Sequence, residues 1–175
     1  MIKRLKLDLN FDMFLNASYV SQNSCIGHQR DENKDIYSKH GVETLPFTYA
    51  AENTQIHQVW WEDKTLIQEL CKLTNLDVQT ISSIRQDPGN FIPIHKDKFF
   101  KVYSNNPQEK RKMARANVFL EDWKFGHFLQ YDDVIVPKWE AGDCYLWDSE
   151  VDHLSCNAGL VPKYTLQISG FLNGA

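Results

Sequence analysis

The feature that most constrains this chain of 175 residues is a change of pattern near residue 78. From there on, short apolar runs alternate with turn residues, and Asp87-Pro88-Gly89-Asn90 is a strong turn signal. Many closely spaced strands favour a sandwich or a barrel over alternating strands and helices. The predicted strands span residues 78–84, 91–94, 114–120, 128–131, 134–136, 144–147 and 164–171.

The first 77 residues indicate a supporting region for this β core. The segment from Trp60 to Leu73 has apolar residues at 66, 67, 70 and 73, which is helical spacing, and Asn75 can end the helix. Alternating apolar residues from Ile2 to Leu9 suggest an opening strand, and the polar run 29–39 suggests a surface loop. We therefore expect one domain, 1–175, with a support region at 1–77 and a β core at 78–171.

Composition places the chain among globular proteins. The formal net charge of −4 and the pI near 5.8 give no reason to expect binding to nucleic acid or to an anionic membrane. The N-terminus lacks the apolar segment of a signal peptide, and no apolar run reaches membrane-spanning length. The four cysteines form no CxxC pair and predict reduced thiols. We expect a cytoplasmic protein, and no sequence feature predicts its oligomeric state.

A histidine and a carboxylate two residues apart, His95 and Asp97, form the strongest candidate for a functional site. On a strand, residues i and i+2 face the same side and lie roughly 6.6 Å apart, so both side chains can converge on one ion. His153, far downstream, would supply a third ligand from another strand. Such a set, with open coordination positions, is typical of a non-haem Fe(II) site. The alternative is an exposed pair, His95 and Asp97, and an unrelated loop histidine.

Other histidines offer weaker metal sites. His127 with Asp132 and Asp133 is a second candidate, but this spacing alternates between the two faces of a strand. Histidines of the N-terminal region are more often surface or core residues than ligands; they are His28, His40 and His57. The sequence contains no glycine-rich phosphate loop and no nucleophile elbow. The first triad therefore stays the leading hypothesis.

Several short motifs carry a resemblance to a known family over about residues 78–171. They are Gln86-Asp87-Pro88-Gly89, His95-Lys96-Asp97, Gly142-Asp143, His153 with Asn157 and Gly159, and Lys163-Tyr164-Thr165. With these motifs the chain resembles the Fe(II)/2-oxoglutarate-dependent oxygenases. It looks closest to the small prolyl- and aspartyl-hydroxylase-like members found in bacteria and phages. The resemblance implies a mainly β fold, the double-stranded β-helix (a cupin-like jelly-roll), with N-terminal helical support.

The resemblance also implies roles for individual residues. His95, Asp97 and His153 match the Fe(II) ligands, and Lys163 matches the residue that binds the C5 carboxylate of 2-oxoglutarate. Thr165 matches a hydroxyl that assists it. Most family members have Arg where this chain has Lys163, and a lysine offers a point charge in place of a planar fork.

The last predicted strand supports a site at Lys163. Its polar residues at 163, 165, 167 and 169 would face inward, while Leu166 and Ile168 would face outward. The alternative is that Lys163 is a surface residue at the start of a strand. Arg115 and Asn117, on an earlier strand, are candidates for the C1 carboxylate, and Trp147 fits either a pocket wall or the core.

The activity that the resemblance implies is hydroxylation by O₂, coupled to decarboxylation of 2-oxoglutarate to succinate and CO₂. Related halogenases lack the carboxylate ligand, so Asp97 favours hydroxylation. The expected substrate is a protein or peptide side chain; the alternative is a free amino acid or a small anionic metabolite. A third interpretation is a non-catalytic cupin-like metal-binding module; the intact set of three ligands argues against it, because a silent module has no need of all three.

A basic stretch follows the first two ligands. Residues 96–115 contain seven Lys and Arg against Asp97 and Glu109, although the whole chain is acidic. We expect a mobile lid over the pocket that favours an acidic substrate. The alternative is a solvated loop whose lysines aid solubility.

Overall fold

Two antiparallel sheets contain most of the residues that the structure, a computed structural model, describes: 2–23, 34–41 and 52–174. Their strands are β1 (Ile2–Lys6), β2 (Val20–Asn23), β3 (Gln55–Trp61), β4 (Leu76–Gln86), β5 (Phe91–His95), β6 (Met113–Phe119), β7 (His127–Tyr131), β8 (Val134–Ile135), β9 (Asp143–Asp148), β10 (His153–Asn157) and β11 (Lys163–Leu172). The large sheet has the order β1-β9-β6-β11-β4-β3-β2, and the small sheet has the order β5-β10-β7-β8. Each strand predicted after residue 77 is confirmed, with ends that differ by at most two residues.

The helices are short, apart from one. They are α1 (Asp12–Leu15), α2 (Lys34–Lys39), α3 (Lys64–Thr74) and α4 (Phe100–Asn105). The carboxylate of Asp63 accepts a hydrogen bond from the Leu66 amide at 2.7 Å and caps α3, and Asn75 ends it at a φ of 57°. None of the described helices has the length and apolar character needed to cross a membrane.

The predicted start of the long helix is wrong. Trp60 and Trp61 belong to β3, where they pair with Ser82 and Ile81 of β4. Because Asp63 caps the helix, its first turn cannot extend back to the tryptophans, whose large rings favour a pleated surface. The indole of Trp61 also donates a hydrogen bond to Ser83 Oγ at 3.0 Å.

The N-terminal region supports the β core with strands as well as helices. The predicted opening strand is confirmed as β1, which pairs with β9, and β3 pairs with β4, so both extend the large sheet. The loop predicted at 29–39 is wrong at its end, because residues 34–39 form α2 with Ile36 and Tyr37 buried. Residues 29–33, Cys25 and His28 lie outside the described residues. The other cysteines are free thiols.

The main hydrophobic core lies on the outer face of the large sheet. Leu166 and Ile168 point away from the small sheet, as predicted, but they are fully buried and not exposed to solvent. They belong to one cluster with Phe14 of α1 and with Leu66 and Leu70 of α3. The two helices therefore cover this face, and the opposite face of the same strands looks towards the small sheet.

Candidate metal centre and adjoining cavity

The three predicted ligands meet between the sheets. His95 ends β5 and His153 begins β10, and the two residues are direct partners in the small sheet with ring centroids 4.2 Å apart. Asp97 lies two residues beyond the end of β5 and not on the strand itself, yet it reaches the same point. Ligand atoms of the three side chains lie within 4.8 Å of one another, and all three residues are buried.

The local backbone sets the histidines up as metal ligands. The Nδ1–H of His95 donates to the Pro93 carbonyl at 2.8 Å, and the Nδ1–H of His153 donates to the Val151 carbonyl at 3.1 Å. With the proton on Nδ1, each Nε2 carries the lone pair that a metal ion binds. Burial, reinforced by His153, lowers the pKa of His95 to about 3, so the imidazole is neutral at physiological pH.

Asp97 is held as a carboxylate. Burial would raise its pKa, but the charge of Arg115 and the two histidines outweigh burial and bring the pKa to about 2. Its Oδ2 lies 2.8 Å from Arg115 Nε and accepts a hydrogen bond from the Trp147 indole at 3.1 Å. Trp147 therefore serves both as cavity wall and as core, since it also belongs to the buried aromatic cluster around Phe119.

These donors fit a divalent transition metal. Two neutral imidazoles and one ionised carboxylate are the ligands of a facial site that leaves positions open, and this donor set suits Fe(II). Among the described residues, no other group of three side chains meets the same distance criterion. The competing histidines have partners of their own. Nε2 of His127 contacts the Val161 carbonyl at 3.1 Å, that of His40 contacts Asp152 at 2.9 Å, and that of His57 contacts Asp87 at 3.0 Å.

A cavity of about 200 Å³ adjoins the triad. Both sheets line it, with Ile92, Leu129 and Ser155 from the small sheet and most other side chains from the large one. The polar residues of the large sheet that line the cavity are Gln58, Gln86, Arg115, Asn117, Lys163, Thr165 and Gln167. The inward direction predicted for 163, 165 and 167 thus agrees with the structure.

Lys163 is a buried cation in this cavity, with 3% of its surface exposed, so its interpretation as a surface residue is wrong. Its Nζ donates to three neutral oxygens, the Phe128 carbonyl at 2.9 Å, Ser155 Oγ at 2.5 Å and the Cys156 carbonyl at 3.0 Å. Within the described chain no carboxylate pairs with it. Burial lowers its pKa to about 7. A buried ammonium group without an anion is costly, so this position fits an anionic ligand.

Two further residues support the position of Lys163: Ser155, which was not singled out in the sequence, and Asn157, which belongs to the motif of the resemblance but had no predicted role. Ser155 contacts the ammonium group, and its hydroxyl also donates to Gln86 Oε1 at 3.1 Å. Ser155 follows His153 by two residues, so strand alternation already placed both on one face. Asn157 fixes the turn that leads to Lys163, since its Nδ2 donates to the Gln86 and Val161 carbonyls.

Comparison with known proteins relates the architecture to solved structures. Neither a protein-family model nor a curated protein sequence matches the chain. The carbocyclase SnoK of nogalamycin biosynthesis, a non-haem α-ketoglutarate-dependent enzyme, aligns over 91% of this chain and 81% of its own, with a TM-score of 0.53 and 14% identity. A prolyl-4-hydroxylase from Pseudomonas putida aligns over 93% and 96%, with a TM-score of 0.47 and 17% identity. A cupin superfamily protein from Desulfitobacterium hafniense aligns over 75% and 92%, with a TM-score of 0.41 and 13% identity.

The two facing sheets and the similarity to SnoK decide the fold class. The chain adopts a double-stranded β-helix fold. The predicted fold, mainly β with N-terminal support, is confirmed. At this low identity the similarity extends to the fold alone.

The basic stretch is anchored at several points of the double-stranded β-helix. Lys96 lies 3.5 Å from Glu150, and Arg111 bridges Asp77 at 2.7 Å and Glu109 at 2.6 Å. Of the basic side chains described in this stretch, only Arg115 lines the cavity. Arg111 thus contributes to the structure, and a mobile lid over the pocket remains a prediction.

Proposed function

We propose that this protein is an Fe(II)- and 2-oxoglutarate-dependent dioxygenase that hydroxylates its substrate. The observation that carries the proposal is Lys163, which is buried without an anionic partner among the described residues, in the same cavity as the triad of His95, Asp97 and His153. A metal site alone fits many cupin-like proteins. A metal site with a buried cation beside it fits a co-substrate that has a metal-binding end and a distant carboxylate.

His95, Asp97 and His153 would hold Fe(II), and Lys163, with Thr165 and Ser155, would bind the C5 carboxylate of 2-oxoglutarate. Asn117, on the inner face of β6, stays a candidate for the C1 carboxylate. When bound, Fe(II) with 2-oxoglutarate and O₂ supplies the oxidising chemistry, which couples decarboxylation to succinate and CO₂ with hydroxylation of a C–H bond.

Other residues of the chain would orient the ligands and exclude water. Trp147 fixes the orientation of the Asp97 carboxylate through the hydrogen bond from its indole N–H, and the positive charge of Arg115 nearby keeps that carboxylate ionised. Apolar side chains of both sheets close the cavity on the Lys163 side, where water would compete with the co-substrate; they include Ile84, Ile92, Phe119 and Leu129.

The size of the cavity bears on the substrate. About 200 Å³ is below the range of roughly 300–1,000 Å³ that is common for drug-sized ligands. A single amino-acid side chain of a peptide or protein can enter such a space beside the co-substrate, and so can a small metabolite. We therefore propose that the substrate presents one short group to the metal, either a peptide side chain or a free small molecule.

Anaerobic titration with Fe(II) and 2-oxoglutarate tests the proposal. We expect a weak visible charge-transfer band that His95→Ala abolishes.

Lys163→Met should raise the 2-oxoglutarate concentration required for half of the band by roughly 10- to 100-fold, as expected for loss of a charge-assisted contact. Lys112→Met, which removes an exposed charge, is the matched control. Absence of the band, together with absence of succinate in air, would contradict the proposed activity. Metal binding without a 2-oxoglutarate band would instead indicate a non-catalytic metal-binding module.

A further inference from the structure

The guanidinium group of Arg115 is held at the cavity by three different elements. Its Nε lies 2.8 Å from Asp97 Oδ2, and its Nη1 donates a hydrogen bond to Gln167 Oε1 on β11. The ring of Phe99 lies against the group, with Cζ 5.3 Å from the ring centroid. Phe99 has a φ of 50°, which is unusual for a bulky residue and places the ring at the start of α4. The side chain of Arg115 keeps 19% of its surface exposed, so it is fixed but accessible.

Arg115 and Lys163 lie towards different ends of the cavity lining. Lys163 begins β11, and Arg115 of β6 pairs with Ser169, six residues further along β11. The backbone positions of Lys163 and Ser169 are therefore roughly 20 Å apart along the strand, at 3.3 Å per residue. Lys163 contacts Ser155, two residues past His153 on β10, whereas Arg115 contacts Asp97. A co-substrate that extends from Lys163 to the metal therefore approaches from a different end of the cavity lining than that of Arg115.

With Fe(II) and 2-oxoglutarate bound as proposed above, the charges of the cavity lining and of the two ligands do not sum to zero. The ionisable residues that line the cavity are Asp97, Arg115, Lys163 and the two ligand histidines. With neutral histidines and protonated Lys163, one negative and two positive charges leave the lining positive by one. Fe(II) and the 2-oxoglutarate dianion cancel each other. One positive charge thus remains in a largely enclosed site, where an uncompensated charge is costly.

The rest of the lining does not supply the missing anion. Asp97 is the one acidic side chain among the described residues of the lining, and it is committed to the metal. The remaining polar groups there are mostly neutral amides, on Gln58, Gln86, Asn117 and Gln167. Amides donate and accept hydrogen bonds but carry no charge.

From these contacts, positions and charges we propose that Arg115 binds a carboxylate group of the substrate. The substrate is then a small carboxylic acid, or a peptide that presents its C-terminal carboxylate. This inference rests on the proposed function and specifies its substrate class. Gln167 and Phe99 act as positioning residues, because they orient the guanidinium group and leave its exposed edge for the carboxylate. The other six basic residues of the 96–115 stretch are not required.

The test uses pairs of compounds that differ only in the charge at one end. Calorimetric titrations are carried out anaerobically on the protein loaded with Fe(II) and 2-oxoglutarate. One arm compares N-acetyl amino acids with their primary amides, and a second arm compares short peptides with free and amidated C-termini. Succinate formation in air is measured with the same compounds. Binding confined to the first arm identifies a small-molecule acid, and binding in the second identifies a peptide terminus; either result supports the proposal.

We expect acids to bind and the matching amides not to bind. Arg115→Met should weaken acid binding by roughly 10- to 100-fold, as expected for a lost charge-assisted pair, and Arg115→Lys should restore part of it. Because Arg115 also contacts the metal ligand Asp97, some loss of 2-oxoglutarate affinity is expected in both variants, but it should be smaller than the loss of acid affinity. Lys112→Met, an exposed basic residue of the same segment, should match the wild type.

Three outcomes would overturn the inference. Equal binding of acids and amides, or no acid binding in either arm, would remove the carboxylate requirement. A loss of 2-oxoglutarate affinity in Arg115→Met, with acid binding retained, would assign Arg115 to the C1 carboxylate of the co-substrate. Failure of the wild type to form the 2-oxoglutarate band is a separate result, since it would refute the proposed function before Arg115 is considered.

Discussion

The two faces of the large sheet are built by the same strands and have opposite properties. On β11, Leu166 and Ile168 point outward into the apolar core beneath α1 and α3, while Thr165 and Gln167 point inward to the cavity. On β6 the outer residues are alanines and a valine, and the inner ones include Arg115 and Asn117. Each strand therefore contributes to stability on one side and to the candidate site on the other.

This difference has an energetic meaning. Apolar burial on the outer face stabilises the fold by roughly 25 cal/mol per Å² removed from water. Burial of Lys163 and Asp97 on the inner face costs free energy unless partners compensate for it. Asp97 has Arg115 and Trp147 as partners, whereas Lys163 has only neutral oxygens among the described residues. The inner face is therefore preformed for ligands at some expense in stability, and the outer face offsets that expense.

Removal of a metal ligand should give the largest effect on function. We expect His153→Ala to reduce iron-dependent succinate formation to background, because two remaining donors cannot hold the ion in a three-ligand site. The melting temperature of the metal-free protein should change less than in an outer-face variant. Succinate assays and metal content after dialysis measure the effect on function, and thermal denaturation of the metal-free proteins measures the melting temperature. Retained metal with normal turnover would contradict the assignment of His153.

A substitution on the outer face should lower the stability of the fold and leave the function unchanged. Leu70 of α3 is fully buried against the large sheet, so Leu70→Ala leaves a cavity and should lower the free energy of unfolding by about 2–5 kcal/mol. Because Leu70 does not reach the inner face, the KM for 2-oxoglutarate should stay unchanged in the folded fraction. Urea denaturation and steady-state assays below the unfolding temperature check both parts. A changed KM would mean that the two faces are coupled through the strands.

The sequence predicted the inner face better than its surroundings. The alternation after Lys163 depends on strand geometry, which is local. His95 and Asp97 do meet as predicted, but Asp97 lies two residues beyond the end of β5, so the strand alone does not place it. The covering of Leu166 and Ile168 depends on which distant segment packs there, and alternation is the same whether the apolar face meets helices or solvent. For the same reason β1 and β3 could not be assigned to the large sheet, because their pairing with β9 and β4 is set by long-range contacts.

Two local errors have local explanations. Trp60 and Trp61 were assigned to a helix because they adjoin its apolar repeat, although Asp63 marks the capping position that excludes them. Ser155 was not singled out because a serine has no distinctive pattern, even though it shares a face with His153. Its position two residues from His153 is the signal that identifies Ser155 as a neighbour of the site.

The pH dependence of stability should reveal the cost of the buried cation. Burial lowers the pKa of Lys163 from 10.5 to about 7, so between these values the folded protein binds fewer protons than the unfolded chain. Stability therefore rises with pH across this window, and the destabilisation is full below about pH 7. Lys163→Met should gain about 2–4 kcal/mol over the wild type at acidic to neutral pH, and the gain should vanish towards pH 10.

Denaturant titrations of the ligand-free proteins at the two ends of this window measure that gain. Lys112→Met, which removes an exposed lysine, should show no such pH-dependent difference. A constant gain at every pH would mean that Lys163→Met acts through packing and not through the charge. Saturating 2-oxoglutarate should stabilise the wild type more than the variant, because the ligand supplies the anion that Lys163 lacks.

The smallest effect is expected at Trp147, an inner-face residue that packs in an apolar cluster and also contacts a metal ligand. Its ring is buried in the aromatic cluster, while its indole N–H donates to Asp97 Oδ2 at 3.1 Å. Trp147→Phe keeps most of the apolar surface and removes the hydrogen-bond donor to Asp97. Metal affinity should therefore fall by roughly 10-fold, which is the lower limit of the usual effect of removing a group that hydrogen-bonds to a metal ligand. Trp139→Phe is the matched control, since Trp139 stacks on Phe119 in the same cluster and does not line the cavity. Equal metal affinities in the two variants would show that Trp147 contributes only packing. A weakened site in Trp147→Phe alone would show that this inner-face side chain also supports the metal ligand.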